Sequence, residues 1–351
     1  MAFTTINDSS AHFQVTLYTG TGSNQSITNG GNSNLQPDWV WVKDRSTTND
    51  HKITDSSRLA NSKPSLTLES NTTNAQYDDA DPMSTDSFDS DGFTIGTNGN
   101  YNTNTNTYVA WQWKANGGTT SSNTSGNITT TVQANTTAGF SIVTWEGANS
   151  TATLGHGLGA VPELIISKCI DTTQEWGVYH KDVGNDDYLH LNEAADEQDN
   201  AAYWNDTTPT STVWSVGNSG PTNDNGDSMI AYVFTPIQGY SKFGSYVGNG
   251  NADGTFVYTG FKPAWVLTKG GSDDWCIIDN KRNAFNPGSK RLFPNTNAAE
   301  STTADWMDFL SNGFKPRVSD GKHNGNGTTY FYIAFAEHPF VSSKGVPVTA
   351  R

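Results

Sequence analysis

Three glutamates are the residues of this sequence best suited to acid–base chemistry. Glu146, Glu163 and Glu337 lie on or beside segments with the alternating pattern of β-strands. Glycoside hydrolysis requires two carboxyl groups about 5–10 Å apart across a cleft. Part of the sequence that contains Glu146 and Glu163 is repeated later in the chain. The residues that match these two glutamates in the later copy are Val247 and Ala264, so the copy lacks the carboxylates. A site unique to one segment would allow a hydrolase, but a solvated strand residue is far commoner. We therefore predict that the protein is not an enzyme and has no catalytic residues.

Aromatic residues beside amides indicate a second kind of chemistry, the binding of sugars. Carbohydrate-binding modules stack sugars on exposed rings and hydrogen-bond the sugar hydroxyls. The candidates lie in or near an acidic insertion over residues 185–206, and they are Trp176, Tyr203, Trp204 and Asn205. Trp204 is the strongest candidate because Tyr203 and Asn205 flank it in a predicted loop, with core packing as the alternative. Trp176 has a counterpart in Trp275, which favours a shared core role at that position.

The sequence contains no convincing metal site. Residues 89–92 and 251–254 carry oxygen ligands at short spacing, but neither continues into a twelve-residue calcium loop. Turn formation explains both stretches. The seven histidines show neither His-x-x-x-His nor His-x-His spacing. We predict no bound metal and no cofactor.

The composition excludes several classes of partner. The chain has 351 residues, a net charge of −15 and only 16% charged residues. An acidic protein without a basic patch is unsuited to nucleic acid and to anionic membranes. No run approaches the roughly 18 apolar residues that a membrane span requires, so we predict no membrane insertion. Cys169 and Cys276 lie at non-equivalent positions, which predicts free thiols and no disulfide framework.

These candidate residues are carried by a sequence unit that occurs three times. In each copy a proline is followed six positions later by a lysine, and after 69 to 73 residues by an alanine within an aromatic strand. The matching residues are Pro37, Lys43 and Ala110; Pro162, Lys168 and Ala231; and Pro263, Lys269 and Ala334. A fixed order of strand-like blocks at nearly fixed offsets predicts one supersecondary unit used three times.

The strand between the proline and the lysine has two apolar faces. In the first copy Trp39 and Trp41 alternate with Val40 and Val42. This pattern predicts a strand buried on both sides, as at the centre of a β-sandwich. Residues 193–203 form the one predicted helix, and no long stretch has helical periodicity.

We predict an all-β protein of three tandem homologous β-sandwich domains, jelly-roll or lectin-like in type. The first repeat spans residues 1–115, the second 128–237 and the third 238–351. Residues 116–127 are rich in Asn, Gly, Thr and Ser, which predicts a flexible linker. No such stretch separates the second repeat from the third, so these two are predicted to pack rigidly together.

Several blocks resemble a family of virion proteins of marine tailed bacteriophages, among them tail-fibre-like proteins built of repeated β domains. The blocks are residues 35–45, 87–93, 108–114 and 332–337. They are spread over almost the whole chain. The resemblance implies a component of the virion exterior, one that can touch the host. It implies no catalytic residue.

We therefore predict a non-enzymatic structural protein on the exterior of a tailed phage particle, most simply a tail-fibre or adhesin component that contacts host surface carbohydrate. Its other predicted partners are virion proteins and further copies of itself. One alternative is a head- or tail-decoration protein that binds other virion proteins. The other is a polysaccharide-degrading tailspike. A trimeric fibre usually has a coiled-coil or β-helical shaft, which this sequence lacks, and this absence keeps the decoration alternative close behind the tail-fibre prediction.

Overall fold

Antiparallel β-strands are the main regular secondary structure of the protein. The computed structural model describes residues 3–78 and 85–348. Strands account for 41% and helices for only 4% of the residues, which confirms the all-β prediction. Within the described ranges no helix is long and apolar enough to cross a bilayer.

The first segment begins with a short 3₁₀ helix, Ser9–Ala11, and ends with its longest central strand. Its elements are β1 Phe13–Thr19, β2 Gln25–Thr28, β3 Trp39–Asp44, β4 Lys52–Asp55, β5 Leu66–Thr67, β6 Tyr77–Asp78, β7 Thr85–Asp89, β8 Gly92–Ile95, α1 Gly99–Asn102 and β9 Thr107–Trp113.

The second and third segments follow the same order of long strands. The second contains β10 Ser121–Asn123, β11 Thr130–Asn135, β12 Phe140–Glu146, β13 Ala152–Gly155, β14 Leu164–Cys169, β15 Trp176–His180, β16 Asp187–His190, β17 Gln198–Asp199, α2 Ala201–Trp204, β18 Val213–Val216, α3 Gly220–Asn223 and β19 Ser228–Phe234. The third contains β20 Ser241–Val247, β21 Val257–Tyr258, β22 Phe261–Gly270, β23 Cys276–Asp279, β24 Met307–Leu310, β25 Gly313–Pro316 and β26 Thr329–Pro339.

Each segment contributes a main sheet with the same strand order. The first is β1-β9-β3-β4 and the third is β20-β26-β22-β23. In the second, β12-β19-β14-β15 forms the middle of an eight-stranded sheet that β10 and β11 extend on one side and β16 and β17 on the other. In each segment the strand that runs from the proline to the lysine therefore has the same position in the main sheet. It pairs with the late strand that carries the alanine.

One aromatic core lies where the three main sheets face one another. It contains side chains from all three segments, including Trp39, Trp111, Tyr232, Trp265 and Phe335. The Trp39 and Tyr232 rings, from different segments, stack with centroids 4.4 Å apart. Large aromatic rings bury much apolar area and pair favourably at such distances, so this core holds the segments together.

The outer face of each main sheet covers a separate, smaller core. In the first segment this core contains Val40, Val42 and Ala110, whereas Trp39 and Trp41 point into the central core. Ala231 and Ala334 occupy the corresponding smaller cores of the other two segments. The predicted alternation of faces along the strand is therefore confirmed.

Three polar contacts at matching positions link neighbouring segments around the central core. Each donor stands four residues before the end of β4, β15 or β23, and each acceptor is a backbone carbonyl of another segment. His51 Nε2 contacts Phe293 O at 3.0 Å, Trp176 Nε1 donates to Glu69 O at 2.9 Å, and Trp275 Nε1 donates to His190 O at 2.9 Å. The contacts run from first to third, third to second and second to first, so they close a ring.

Residues 116–127 differ from the predicted flexible linker. Ser121–Asn123 pairs with β11, and the Asp38 carboxylate accepts the backbone N–H groups of Gly117 and Gly118 at 2.9 and 2.8 Å. The composition predicted flexibility because Asn, Gly and Ser favour turns. Here a carboxylate of the first segment satisfies those turn amides and fixes the path of the chain.

The helix predicted over residues 193–203 is confined to its end. Only Ala201–Trp204 is helical, and Gln198–Asp199 pairs with β16 instead. The weak apolar face of the stretch could not support a longer helix.

Candidate functional site

The residues predicted to bind sugar lie in the interior of the second segment or at its edge. Trp204 and Tyr203 are 2% and 5% exposed and belong to the smaller core, and Trp176 is buried in the central core. Asn205 is half-buried and ends α2 in a left-handed conformation with φ of 53°. A sugar-stacking ring must present one face to solvent, and the three rings do not. The sequence could not show this, because α2 folds the polar insertion back over its own aromatic residues.

These residues nevertheless border a polar cluster at one end of the second segment. The Tyr203 hydroxyl contacts His190 Nε2 at 2.7 Å, and Glu193 Oε2 contacts His190 Nδ1 at 3.0 Å. Side-chain ligand atoms of Glu175, His190 and Glu193 all lie within 4.8 Å of one another. An imidazole and two carboxylates are donors that divalent transition metals accept. No sequence motif predicted the cluster, because β15 and β16 bring Glu175 and His190 together across the sheet.

In the corresponding regions of the first and third segments, a lysine pairs with an acidic residue. Glu69, which matches His190, is paired with Lys52, and Asp274, which matches Glu175, lies 2.6 Å from Lys322 Nζ. Among the described residues no lysine or arginine forms an ion pair with Glu175 or Glu193. These two acids of the second segment therefore lie beside a histidine and not in an ion pair with a lysine of the described chain.

A second group of possible ligands lies on the same segment. Cys169 Sγ, Asp224 and Asp227 offer atoms within 4.8 Å of one another. Asp227 accepts the Thr172 hydroxyl at 2.8 Å, and Asp224 accepts the Gln174 amide at 2.8 Å. Burial raises the pKa of the Cys169 thiol, which favours the protonated form. The cluster is thus held by internal hydrogen bonds.

The glutamates considered for catalysis do not converge on one cavity. Glu146 is exposed at the end of β12. Glu163 pairs with Lys181 at 3.2 Å, and Glu337 pairs with Lys262 at 2.5 Å, each beside a different cavity. Burial raises the pKa of Glu163, although Lys181 opposes this effect. Two separate carboxylate–lysine pairs do not form the facing acids that glycoside hydrolysis requires.

The oxygen-rich stretches 89–92 and 251–254 form turns and ion pairs. Asp91 Oδ1 accepts the backbone N–H of Leu35 at 3.1 Å. Asp253 lies 2.5 Å from Lys315 Nζ. Their oxygens are therefore engaged by donors of the chain itself, which agrees with the turn interpretation.

A cleft of about 690 Å³ opens on the outer side of the third segment. Phe285 stands on its rim and is 86% exposed. Two asparagines fix the loop that carries this ring. Asn283 Oδ1 accepts the N–H groups of two later loop residues at 2.9 and 2.8 Å. Asn286 exchanges two hydrogen bonds with the backbone of Phe309, at 2.8 and 2.9 Å. The ring is therefore held in solvent by an ordered loop.

The lining of this cleft is polar and carries both signs of charge. The Lys262–Glu337 ion pair and His338 line it together with Asn280. Asn280 Oδ1 is buried and has no hydrogen-bond partner in the described part of the chain. A buried unpaired amide oxygen is unfavourable unless a donor reaches it. The sequence signal for this site is an aromatic residue among turn formers, Asn-Ala-Phe-Asn-Pro over residues 283–287.

Fold and surface together define an all-β protein in which one strand order recurs three times, with a ligand-sized cleft on the third segment. The chain belongs to the family described as domain of unknown function (DUF7483), which matches residues 8–339. No curated protein matches the chain, and no solved structure matches it.

Proposed function

We propose that the protein is an exterior structural component of a tailed phage particle and serves as a tail-fibre or adhesin module that contacts host surface carbohydrate. The observation that carries the proposal is the closed arrangement of three matched segments around one buried aromatic core. Such a body is self-contained, and its outer loops are free for contacts. Further copies or other virion proteins would bind the outer surfaces, because the central core is already covered.

The same proposal includes three tandem homologous β-sandwich domains over residues 1–115, 128–237 and 238–351. In each segment a small sheet lies opposite the outer face of the main sheet: β2-β8-β7, β13-β18 and β21-β25-β24. Phe93, Trp214 and Phe314 from these small sheets join the respective smaller cores. Two sheets enclosing one apolar layer are what defines a sandwich.

A binding role fits the described residues better than an enzymatic one. The candidate carboxylates are each paired with lysine or exposed, and the polar residues at segment boundaries are used to join the segments. The net charge of −15 suits an exposed, soluble component. A surface that binds a ligand without catalysing a reaction needs only ordered loops. The third segment has such loops.

Decoration of the phage head or tail is the second candidate function. The described residues include no long helix and no extended strand ladder that could form a fibre shaft. A compact body without a shaft would also fit a protein that caps the particle surface.

Labelling of particles tests the proposal. Gold-labelled antibodies against this chain should mark the tail tip or fibres of virions from the phage that encodes it, and free protein should compete with adsorption to host cells. Labelling of the head or tail tube without competition would favour decoration. Absence of the protein from purified particles would refute a virion role altogether.

A further inference from the structure

We propose that the cleft on the third segment is a site for neutral carbohydrate, with Phe285 as the stacking platform. The inference rests on the proposed adhesin role and moves the sugar site away from the buried rings of the second segment. It is carried by three features of the cleft: an exposed ring on a fixed loop, a buried unpaired amide oxygen, and a lining of balanced charge.

The exposure of Phe285 is built into the structure of its loop. Asn283 and Asn286, one on either side, bond to backbone groups and leave the ring between them pointing to solvent. A phenylalanine that stays in water forgoes the gain from burial, and Val348, 43% exposed in the lining of the same cleft, extends the apolar surface that a ligand can cover. Because the loop is already ordered, little conformational entropy would be lost when a ligand covers the ring.

The lining supplies the polar half of sugar recognition. Asn280 Oδ1 lacks a donor in the described part of the chain and is covered in this structure, so a sugar hydroxyl would reach it after rotation of the Asn280 side chain. Lys262 and Glu337 add a donor and an acceptor at the same wall, with His338 beside them. One apolar face together with a few convergent polar groups is the usual composition of a small-ligand pocket, and about 690 Å³ lies within the usual size range.

The charge of the cleft and of the chain favours neutral sugars over anionic ones. The lysine and the glutamate at the wall neutralise each other at 2.5 Å, so the pair offers no uncompensated positive charge to a sulfate or a carboxylate. The surrounding protein carries a net charge of −15 and repels polyanions at long range. The predicted ligand is therefore a neutral stretch of a surface polysaccharide.

A pair of matched substitutions in the full chain tests the site. Phe285→Ala removes the platform, and Leu59→Ala removes a side chain that is 49% exposed on the loop after Arg58, which matches the loop after Arg282 in the third segment. Binding is measured to an array of immobilised neutral and sulfated oligosaccharides and to purified host surface polysaccharide. Phe285→Ala should bind neutral sugars at least tenfold more weakly with an unchanged melting temperature, whereas Leu59→Ala should bind like the parent.

Asn280→Ala gives a second, independent measurement. Its side-chain oxygen makes no hydrogen bond within the described residues, so the variant should fold normally and lose sugar affinity. If the parent binds neutral sugars and both variants bind equally well, the cleft is the wrong site and the adhesin role stands. If the parent binds only sulfated sugars, or none, the proposed ligand is wrong, and particle labelling then decides the broader function separately. If Phe285→Ala loses attachment to particles that lack the protein, the ring binds a virion partner and the carbohydrate proposal fails.

Discussion

β4, β15 and β23 end at matching positions of the central interface. Two of the three segments carry the same type of residue there, and the second segment differs. The first and third carry Asp55 and Asp279, each paired with an arginine three residues later. Each carboxylate also accepts a hydrogen bond from an aromatic residue of a neighbouring segment: the Tyr232 hydroxyl reaches Asp55 Oδ2 at 2.8 Å, and Trp111 Nε1 reaches Asp279 Oδ2 at 3.1 Å.

The second segment carries His180 at this position, and Val183 in place of the arginine. The matching aromatic residue of its neighbour is Phe335, which has no hydrogen-bond donor. His180 instead contacts the backbone oxygen of Tyr332 through Nε2 at 3.3 Å and accepts the N–H of Asp182 at Nδ1. A buried carboxylate is costly unless several donors satisfy it. The comparison indicates that the ion pair is retained only where the facing ring supplies one of those donors.

Removal of one charge should show the difference most strongly. Asp279→Ala leaves the fully buried Arg282 guanidinium with Glu300, at 3.2 Å, as its remaining carboxylate partner. Removing one partner of a buried ion pair typically costs about 3–5 kcal/mol, and Glu300 should keep the loss near the lower end of that range. We expect that loss in the free energy of unfolding, measured with urea.

The matched control is His180→Ala. This change removes a neutral ring and two hydrogen bonds and should cost about 1–2 kcal/mol. Equal losses for Asp279→Ala and His180→Ala would show that the ion pair has no special role in the interface.

The donor from the facing ring is tested by Trp111→Phe. This change removes the indole N–H that binds Asp279 and some core volume, and hydrogen bonds to charged groups contribute about 1.5–3 kcal/mol. We expect a loss of about 2–3 kcal/mol in unfolding free energy. Trp113→Phe is the control, because Trp113 Nε1 is buried without a partner in the described residues, so only volume is lost. A loss as large for Trp113→Phe would assign the effect to packing alone.

A smaller effect is expected from Tyr232→Phe, which gives the second segment the ring that the third has at Phe335. The Asp55–Arg58 pair remains intact, and Asp55 keeps a further bond from the backbone N–H of Ser57 at 3.0 Å. Loss of one hydroxyl should therefore cost about 1–2 kcal/mol in urea unfolding. A loss comparable to that of Asp279→Ala would mean that the hydroxyl, and not the arginine, is the main partner of the carboxylate.

The fold class and the burial of the central strands on both faces could be predicted from the sequence because strand periodicity is a local property. Trp39 and Val40 point to opposite faces for the same reason that neighbouring residues do in any strand. The closing of the three sheets into a ring could not be predicted, since contacts such as Trp176 to Glu69 join residues far apart in the chain. The flexible-linker prediction failed at residues 116–127 because the acceptor that orders them, Asp38, lies in another segment.

The candidate site was harder to predict for a physical reason. Trp204 and Phe285 both stand among turn-forming residues, yet one is buried and the other is 86% exposed. Whether a loop folds inward or outward depends on the backbone groups that its flanking asparagines reach. Those groups, such as the backbone of Phe309 for Asn286, are set by tertiary structure.

Acid should weaken the interface of the second segment through His180. Burial is the main cause that lowers the pKa of this imidazole to about 4, against the opposing effect of Asp182. Between about pH 6.5 and 4 the unfolded chain binds a proton that the folded chain does not, so the free energy of unfolding falls as the pH falls through that window. Burial also lowers the pKa of His51 and His323, so wild type and variant share the part of the pH dependence that comes from these two residues.

In His180→Gln the amide can still donate to Tyr332 O but does not titrate. We expect wild type to lose about 1 kcal/mol more than this variant between pH 7 and 5.5, measured by urea unfolding at each pH. Parallel pH curves for the two proteins would show that His180 has the same pKa in the folded and the unfolded chain, and the neutral buried contact that distinguishes the second segment would then be wrong.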